Sequence, residues 1–544
     1  MKLYLMVRTS TDISRKGEVV KTLLVRVKWP LIAALSLMVG AACSEDNVVF
    51  QDREPFNPPA DSVSGMLGYY NIEAHQTTCG NCHADTQVEW VETAHANAWE
   101  GLQGSGHAQE FCEGCHTVSE LGNALTAASG WNAVKDSTYL DVQCESCHGP
   151  GNDHAGAPDM TQPLASIAVD TGLTNGCGEC HSGTHHPFVE QWVQSKHGYG
   201  RSFGYAGSRS GCDECHSAQG AIEQQFNSNA DYLEKDGDRL PIVCAVCHDP
   251  HGGPLDHQLR APVGEDTPRG LCLVCHNRRT VPSAGTRGPH AAQGPLVLGS
   301  TIAWWPDGFE WLDGLTGSHG DTDVNEDLCA TCHVVNFEVT DPATGDFVFH
   351  SVGHTFEAIS CLDAQGIPTA GPCANDERDW SACASCHGTE AASQAIYEAF
   401  KDTLNALLDQ IWVDTDGNEI IDAAPTDAGV LPLILQAAGD RELDRSDTLF
   451  TAAEGILYNA QVAATHDREL FLSGSTIVID QGTGLPDTVS FSGHRTAGNG
   501  VHNPPFLEAL LKASIQHAIA FYGIPAPAPG FDLTIRADRS QFRR

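Results

Sequence analysis

The chain of 544 residues carries 70 Asp and Glu against 30 Lys and Arg, a formal net charge of −40. That surplus repels phosphate backbones and anionic lipid, so nucleic acid is excluded as a partner, whereas a cationic protein, a divalent cation or an electropositive mineral surface would be attracted. Length alone predicts about two to four domains, but 21 cysteines in one recurring pattern change that expectation.

Seven Lys or Arg lie between Lys2 and Lys28, and "WPLIAALSLMVGAA" then leads to Cys43. Fourteen largely apolar residues are too few to span a bilayer and fit the core of an export signal over residues 1–42. Gly40, Ala41 and Ala42 before Cys43 resemble a bacterial lipobox, so Cys43 is the expected site of a lipid anchoring the chain to the outer membrane. The alternative is a plain signal peptide with a leftover thiol. Residues 43–70 read as a linker.

From residue 71 to 390 one motif dominates. Cys-x-x-Cys-His occurs nine times: Cys79, Cys82, His83; Cys112, Cys115, His116; Cys144, Cys147, His148; Cys177, Cys180, His181; Cys212, Cys215, His216; Cys244, Cys247, His248; Cys272, Cys275, His276; Cys329, Cys332, His333; Cys383, Cys386, His387. The two thiols of such a run add to haem vinyl groups and the histidine becomes an axial iron ligand. Zinc ribbons pair Cys-x-x-Cys units with no need of a histidine after each, and thioredoxin-like dithiols come singly beside a βαβ pattern absent here. The expected cofactors are therefore nine covalently attached haem c groups. The first six motifs start 32 to 35 residues apart, an internal repeat. So little chain per haem leaves the porphyrins to supply much of the apolar core. The expected fold class is a multihaem cytochrome, with irregular loops and short α-helices wrapped around a haem chain and a C-terminal α-helical subdomain.

The sixth iron ligand sets each haem's role. Methionine raises the potential, histidine lowers it, and an open position admits substrate. Beyond the leader only Met66 and Met160 remain, whereas 17 histidines lie outside the motifs. The expected distal ligands are His95 and His197, in the related phrases "WVETAHANAW" and "WVQSKHGYG", and His154, His186, His251, His290, His319, His354 and His502. His154 and His251 follow a motif too closely to reach their own iron and are expected to serve a neighbouring one. His75, His107 and His185 are weaker alternatives.

Cys361 and Cys373 match no motif, and in an oxidising compartment they are expected to form a disulfide. After His387 the composition shifts. Ile396, Phe400, Leu404, Leu407 and Ile411 recur at helical spacing, and "AAEGILYNAQVAATH" is a second helical pattern. A third runs from Asn503 as N-cap, through Pro504 and Pro505, to a stop at Gly523 and Pro525. These define a helical subdomain over 391–523, supplying at least one distal ligand, and an extended tail over 524–544. "DTDGNEIID" has its glycine two positions early for a calcium loop, so a tight turn is preferred over calcium.

The nine motifs, "CESCHGPGNDH" and "GVHNPPFLEALLKAS" resemble the multihaem c-type cytochrome superfamily, specifically exported bacterial members. These include the tetrahaem cytochrome of the hydroxylamine pathway, the porin–cytochrome conduits and the extracellular cytochrome filaments. The resemblance implies haem attachment outside the cytoplasm, His502 as ligand to a haem elsewhere in the chain, redox protein partners or an extracellular acceptor, and assembly into a homo-polymer as one option. It implies electron transfer through bis-histidine haems at the bacterial outer surface. The alternative is an oxidoreductase reducing a small nitrogen or sulfur oxyanion at one open haem. Catalytic relatives often carry Cys-x-x-Cys-Lys, which does not occur here.

Overall fold

Cys-x-x-Cys-His spans a little over one helical turn, which brings both thiols and the imidazole to one side of the chain. The computed structural model builds the motifs that way. Cys144–His148, Cys329–His333 and Ser381–His387 are short α-helices, Glu110–His116 is a 3₁₀ helix, and residues 272–275 form a turn. In motifs outside the longer helices the histidine N–H donates to the first cysteine's carbonyl, as from His83 to Cys79 and from His248 to Cys244 at 3.0 and 2.9 Å. The structure describes residues 56–163, 167–169, 176–226, 239–284, 288–299, 302–311, 317–369, 373–417, 421–444, 447–465, 477–479, 486–488 and 499–535. The expected leader and Cys43 lie outside them.

Between motifs, two stretches are built to one plan. Helix α1 (Ala84–Trp90) and helix α2 (Phe188–Gln194) each end near a buried tryptophan of the W-x-x-[ST]-x-H phrase. Trp90 Nε1 donates to the Val142 carbonyl at 3.1 Å, and Trp192 Nε1 to that of Ile242 at 2.8 Å. The Thr93 and Ser195 hydroxyls donate back to those tryptophans' carbonyls, both at 2.7 Å. The Val142 and Ile242 amides in turn donate to the carbonyls of His95 and His197 at 3.1 Å each. Val142 and Ile242 both stand two residues before a motif, so each histidine is pinned to the motif its tryptophan touches.

Residues 61–69, assigned by sequence to the end of a linker, are packed into this part. Met66 is fully buried with Val118 and Tyr139, and the Tyr139 hydroxyl donates to the Met66 carbonyl at 2.6 Å. Glu145, inside the third motif, is buried and accepts from the amides of Leu67, Gly68 and Gly151 at 2.7–2.9 Å. A buried carboxylate is tolerated where several N–H groups converge on it.

The large apolar core lies C-terminal. Helices α3 (Glu390–Leu408), α4 (Val430–Ala438), α5 (Ala452–Val462) and α6 (Pro504–Tyr522) enclose Leu404, Leu408, Ile434, Ile456, Phe506 and Leu510. Three coincide with the sequence patterns. Helix α4 was not legible as one because Pro432 interrupts it, although Pro is tolerated in a first turn. Ile396 departs from the expected stripe and stays exposed. This core also takes Ala292, Leu296, Ile302, Phe309 and Trp311 from between the seventh and eighth motifs, so it is not made of the C-terminal residues alone. The stretch beyond Gly523 packs back as well: Ile524 is buried, and Lys512 Nζ and Gln516 Nε2 donate to the carbonyls of Thr534 and Leu533 at 3.1 and 3.0 Å.

Strand is sparse: four two-stranded antiparallel pairs among the described residues, of which β1 (Phe337–Thr340) with β2 (Phe347–Ser351) is the longest. The disulfide joins Cys361 to Cys373, as the sequence leads one to expect. Thiol labelling of denatured, unreduced protein should therefore modify neither; labelling of both would refute the bridge. At the acidic turn, Gly417 N donates to Asp414 at 2.7 Å, and Asp427 accepts from Trp412 Nε1, Thr415 N and Asp422 N at 2.9–3.2 Å. Oxygens of Asp414, Asp416 and Asp427 come within 4.8 Å of one another. Chain donors already use the Asp427 oxygens, which is the arrangement of a hydrogen-bonded turn. No helix of the described residues is long and apolar enough to cross a membrane.

Candidate haem sites

Every motif histidine has a second imidazole nearby, and eight of these pairs fall in one narrow distance range. Ring centroids stand 6.2 Å apart for His83 and His154, 6.1 Å for His148 and His251, and 6.2 Å for His181 and His95. The value is 6.0 Å for His216 and His290, 6.4 Å for His248 and His354, and 6.2 Å for His276 and His197. It is 6.4 Å for His333 and His502 and 6.2 Å for His387 and His319. Direct stacking would bring rings closer. A metal held in line between two imidazole nitrogens, about 2 Å from each, separates the centroids by about 6 Å. The residues therefore fit an iron between each pair. For His116 the neighbouring imidazole is His186, which burial and then the His116 ring hold below the ordinary imidazole range.

Second-sphere contacts settle which nitrogen faces the pair. A carbonyl only accepts, so each Nδ1 set against one carries the proton and leaves Nε2 as the nitrogen able to bind a metal. Such contacts join His116 to Ala98, His154 to Thr161, His248 to His257, His319 to Val501, His333 to Phe356 and His354 to Val352, at 2.6–3.0 Å. Burial keeps several imidazoles neutral, the state a metal needs. It brings His197 down to about 3, with His276, His333 and His354 adding to it, and His181 to about 4, with His95, His186, His248 and His116 adding.

The remaining candidates are placed otherwise. His75 Nδ1 bonds the Ala96 carbonyl at 2.9 Å, and His185 stacks on Phe347 at 4.7 Å. His107 is exposed. Met66 is a core side chain and Met160 is exposed, so neither stands in an imidazole pair's place. Sequence reasoning did not reach the carbonyl acceptors: they lie up to 182 residues from the histidine they orient, as with His319 and Val501.

The model of a doubled CXXCH motif matches residues 235–280, and that of cytochrome c554 and c-prime matches residues 78–149. The chain is 26% identical over 198 residues to the multiheme cytochrome MtrA of Shewanella baltica, covering 33% of this chain and 56% of that one. It is 27% identical over 240 residues to the C-type polyheme cytochrome OmcC of Geobacter sulfurreducens, covering 41% and 26%. A probable nitrite reductase-hydroxylamine oxidoreductase fusion protein of Kuenenia stuttgartiensis is 26% identical over 213 residues, covering 35% and 21%. The matches thus span little more than half of these relatives' length at most. Among solved structures, the outer cell wall cytochrome OcwA superimposes with a TM-score of 0.46 at 14% identity, over 84% of this chain and 100% of that one. The Cys-x-x-Cys-His motifs of this chain bind haem c, and with these matched segments and relatives the chain is a multihaem c-type cytochrome.

Proposed function

We propose that the chain holds nine haem c groups, each between two histidines, and relays electrons at the bacterial outer surface as part of an extracellular conduit or filament. The observation that carries this reading is the row of imidazole pairs at 6.0–6.4 Å. Motif cysteines would hold the porphyrin edges, with proximal ligands from the motif histidines and distal ligands from His95, His154, His186, His197, His251, His290, His319, His354 and His502. Haem c supplies a one-electron Fe(III)/Fe(II) couple. The chain's part is to present two Nε2 atoms in fixed orientation, to keep them neutral and to exclude a substrate from the sixth position. The working division is a signal over 1–42, a haem region over 71–390 and a helical subdomain over 391–523, with residues 61–69 of the linker counted with the haem region and residues 524–535 of the tail with the helical subdomain. A lipid on Cys43 would tether it to the outer membrane, facing a redox protein or an extracellular acceptor.

Pyridine-haemochrome quantitation with mass spectrometry should give nine haems per mature chain, and eight or fewer would mean an unoccupied motif. The likeness to the nitrite reductase-hydroxylamine oxidoreductase fusion protein favours a second reading, an oxidoreductase with one open haem. The two are separated by spectroscopy. With every iron bis-histidine, the ferric protein should be wholly low-spin and bind negligible carbon monoxide on reduction. A stoichiometric high-spin signal would transfer the assignment to the enzyme.

A further inference from the structure

With the nine haem sites numbered I to IX in motif order, we infer that seven of them form one line, I–III–IV–VI–VII–VIII–IX, and that II and V are side branches on IV and VII. This rests on the haem reading above and adds an order that the chain sequence does not follow.

The observation is which motifs touch. A thiol that carries a haem fixes one porphyrin edge, so thiols in contact bring two haem edges together. Cys79 meets Cys144, joining I to III, and Thr77 Oγ1 beside the first motif lies 3.7 Å from the Cys144 sulfur. His95 joins III to IV, its carbonyl accepting from Val142 two residues before motif III while its ring faces His181 of motif IV, and Cys177 meets Cys244, joining IV to VI. His197 likewise joins VI to VII, its carbonyl accepting from Ile242 two residues before motif VI while its ring faces His276 of motif VII, and Cys272 meets Cys329, joining VII to VIII. The helices Cys329–His333 and Ser381–His387 are in contact, joining VIII to IX.

The branches have their own contacts. Cys115 meets Cys180, the Gly122 amide donates to Glu179 inside motif IV, and the Gly176 amide donates back to the Gly122 carbonyl at 3.1 Å. Cys215 meets Cys275, while Arg278 just past motif VII pairs with Glu214 and reaches the Cys215 sulfur at 3.8 Å. The pattern I–III, II–IV, III–IV thus returns as IV–VI, V–VII, VI–VII, a shift of three motifs. The repeated tryptophan phrases obey the same shift. Trp90 docks before motif III and its His95 faces site IV; Trp192 docks before motif VI and its His197 faces site VII.

Each transfer oxidises one ferrous site and reduces its ferric neighbour, so a one-electron donor and a one-electron acceptor are needed at the ends. Those ends are site I, at His83 and His154, and site IX, at His387 and His319. Anomalous diffraction at the iron edge, on crystals of the holoprotein, tests the order directly. Nine iron peaks are expected, seven in the stated line, with the iron of II nearest to that of IV and the iron of V nearest to that of VII. An iron of II or V lying between two members of the line, or a different order, would overturn this inference and leave the proposed function standing. Fewer than nine peaks would instead count against the proposed function.

Discussion

A His502→Ala variant is expected to keep all nine haems attached and to lose one of them from the low-spin signal. His502 closes the turn Asn499–His502, 169 residues after His333, whose ring it faces at 6.4 Å and 17°. The residues C-terminal to it set its position. Pro504 and Pro505 fix φ in the first turn of α6, where their missing N–H groups cost nothing. Asn503, read from sequence as the N-cap, makes no side-chain cap bond; its Nδ2 donates instead to the Leu296 carbonyl at 3.2 Å, tying the turn to the stretch before the eighth motif. Alanine keeps this backbone and removes only the imidazole. The neighbouring residue limits the damage: the Val501 carbonyl orients His319, so that pair should be unaffected. About one ninth of the ferric haem should turn high-spin, read by electron paramagnetic resonance and by new carbon monoxide binding on reduction. An unchanged spectrum would remove His502 from the ligand set.

The second large effect is on stability. Phe506 is fully buried, with ring centroids 6.0–6.4 Å from Trp305, Phe309 and Trp311. It joins α6 to residues contributed from before the eighth motif. Phe506→Ala removes that ring and leaves a cavity that these aromatic neighbours cannot close, at a cost of about 3–5 kcal/mol. Urea unfolding followed by circular dichroism at 222 nm should show the loss, and hydrogen exchange should place it in α6 and α5. The nine haems should remain attached, because their thioether bonds do not depend on this core. A loss below about 1 kcal/mol would mean that the site is not tightly packed.

The haem sites were legible because their chemistry is local. Two thiols and an imidazole must lie within about one helical turn, so five consecutive residues declare the cofactor whatever the surroundings. Low methionine and abundant histidine were compositional facts of the same kind. The helices Glu390–Leu408, Ala452–Val462 and Pro504–Tyr522 were legible through their apolar period or their proline start. By contrast, nothing near Met66 declares that it ends beneath Tyr139, and Val430–Ala438 hides its helix behind Pro432.

What only the tertiary structure decided is partnership. A distal imidazole need satisfy just one local condition, that its Nε2 be presented, and many loops can do that. Which motif histidine it faces depends on loop closure over many tens of residues, from 68 between His319 and His387 to 169 between His333 and His502. His185 and His186 show the limit: adjacent and chemically identical, one stacks on Phe347 and the other lies near His116, and only the fold around them separates the two.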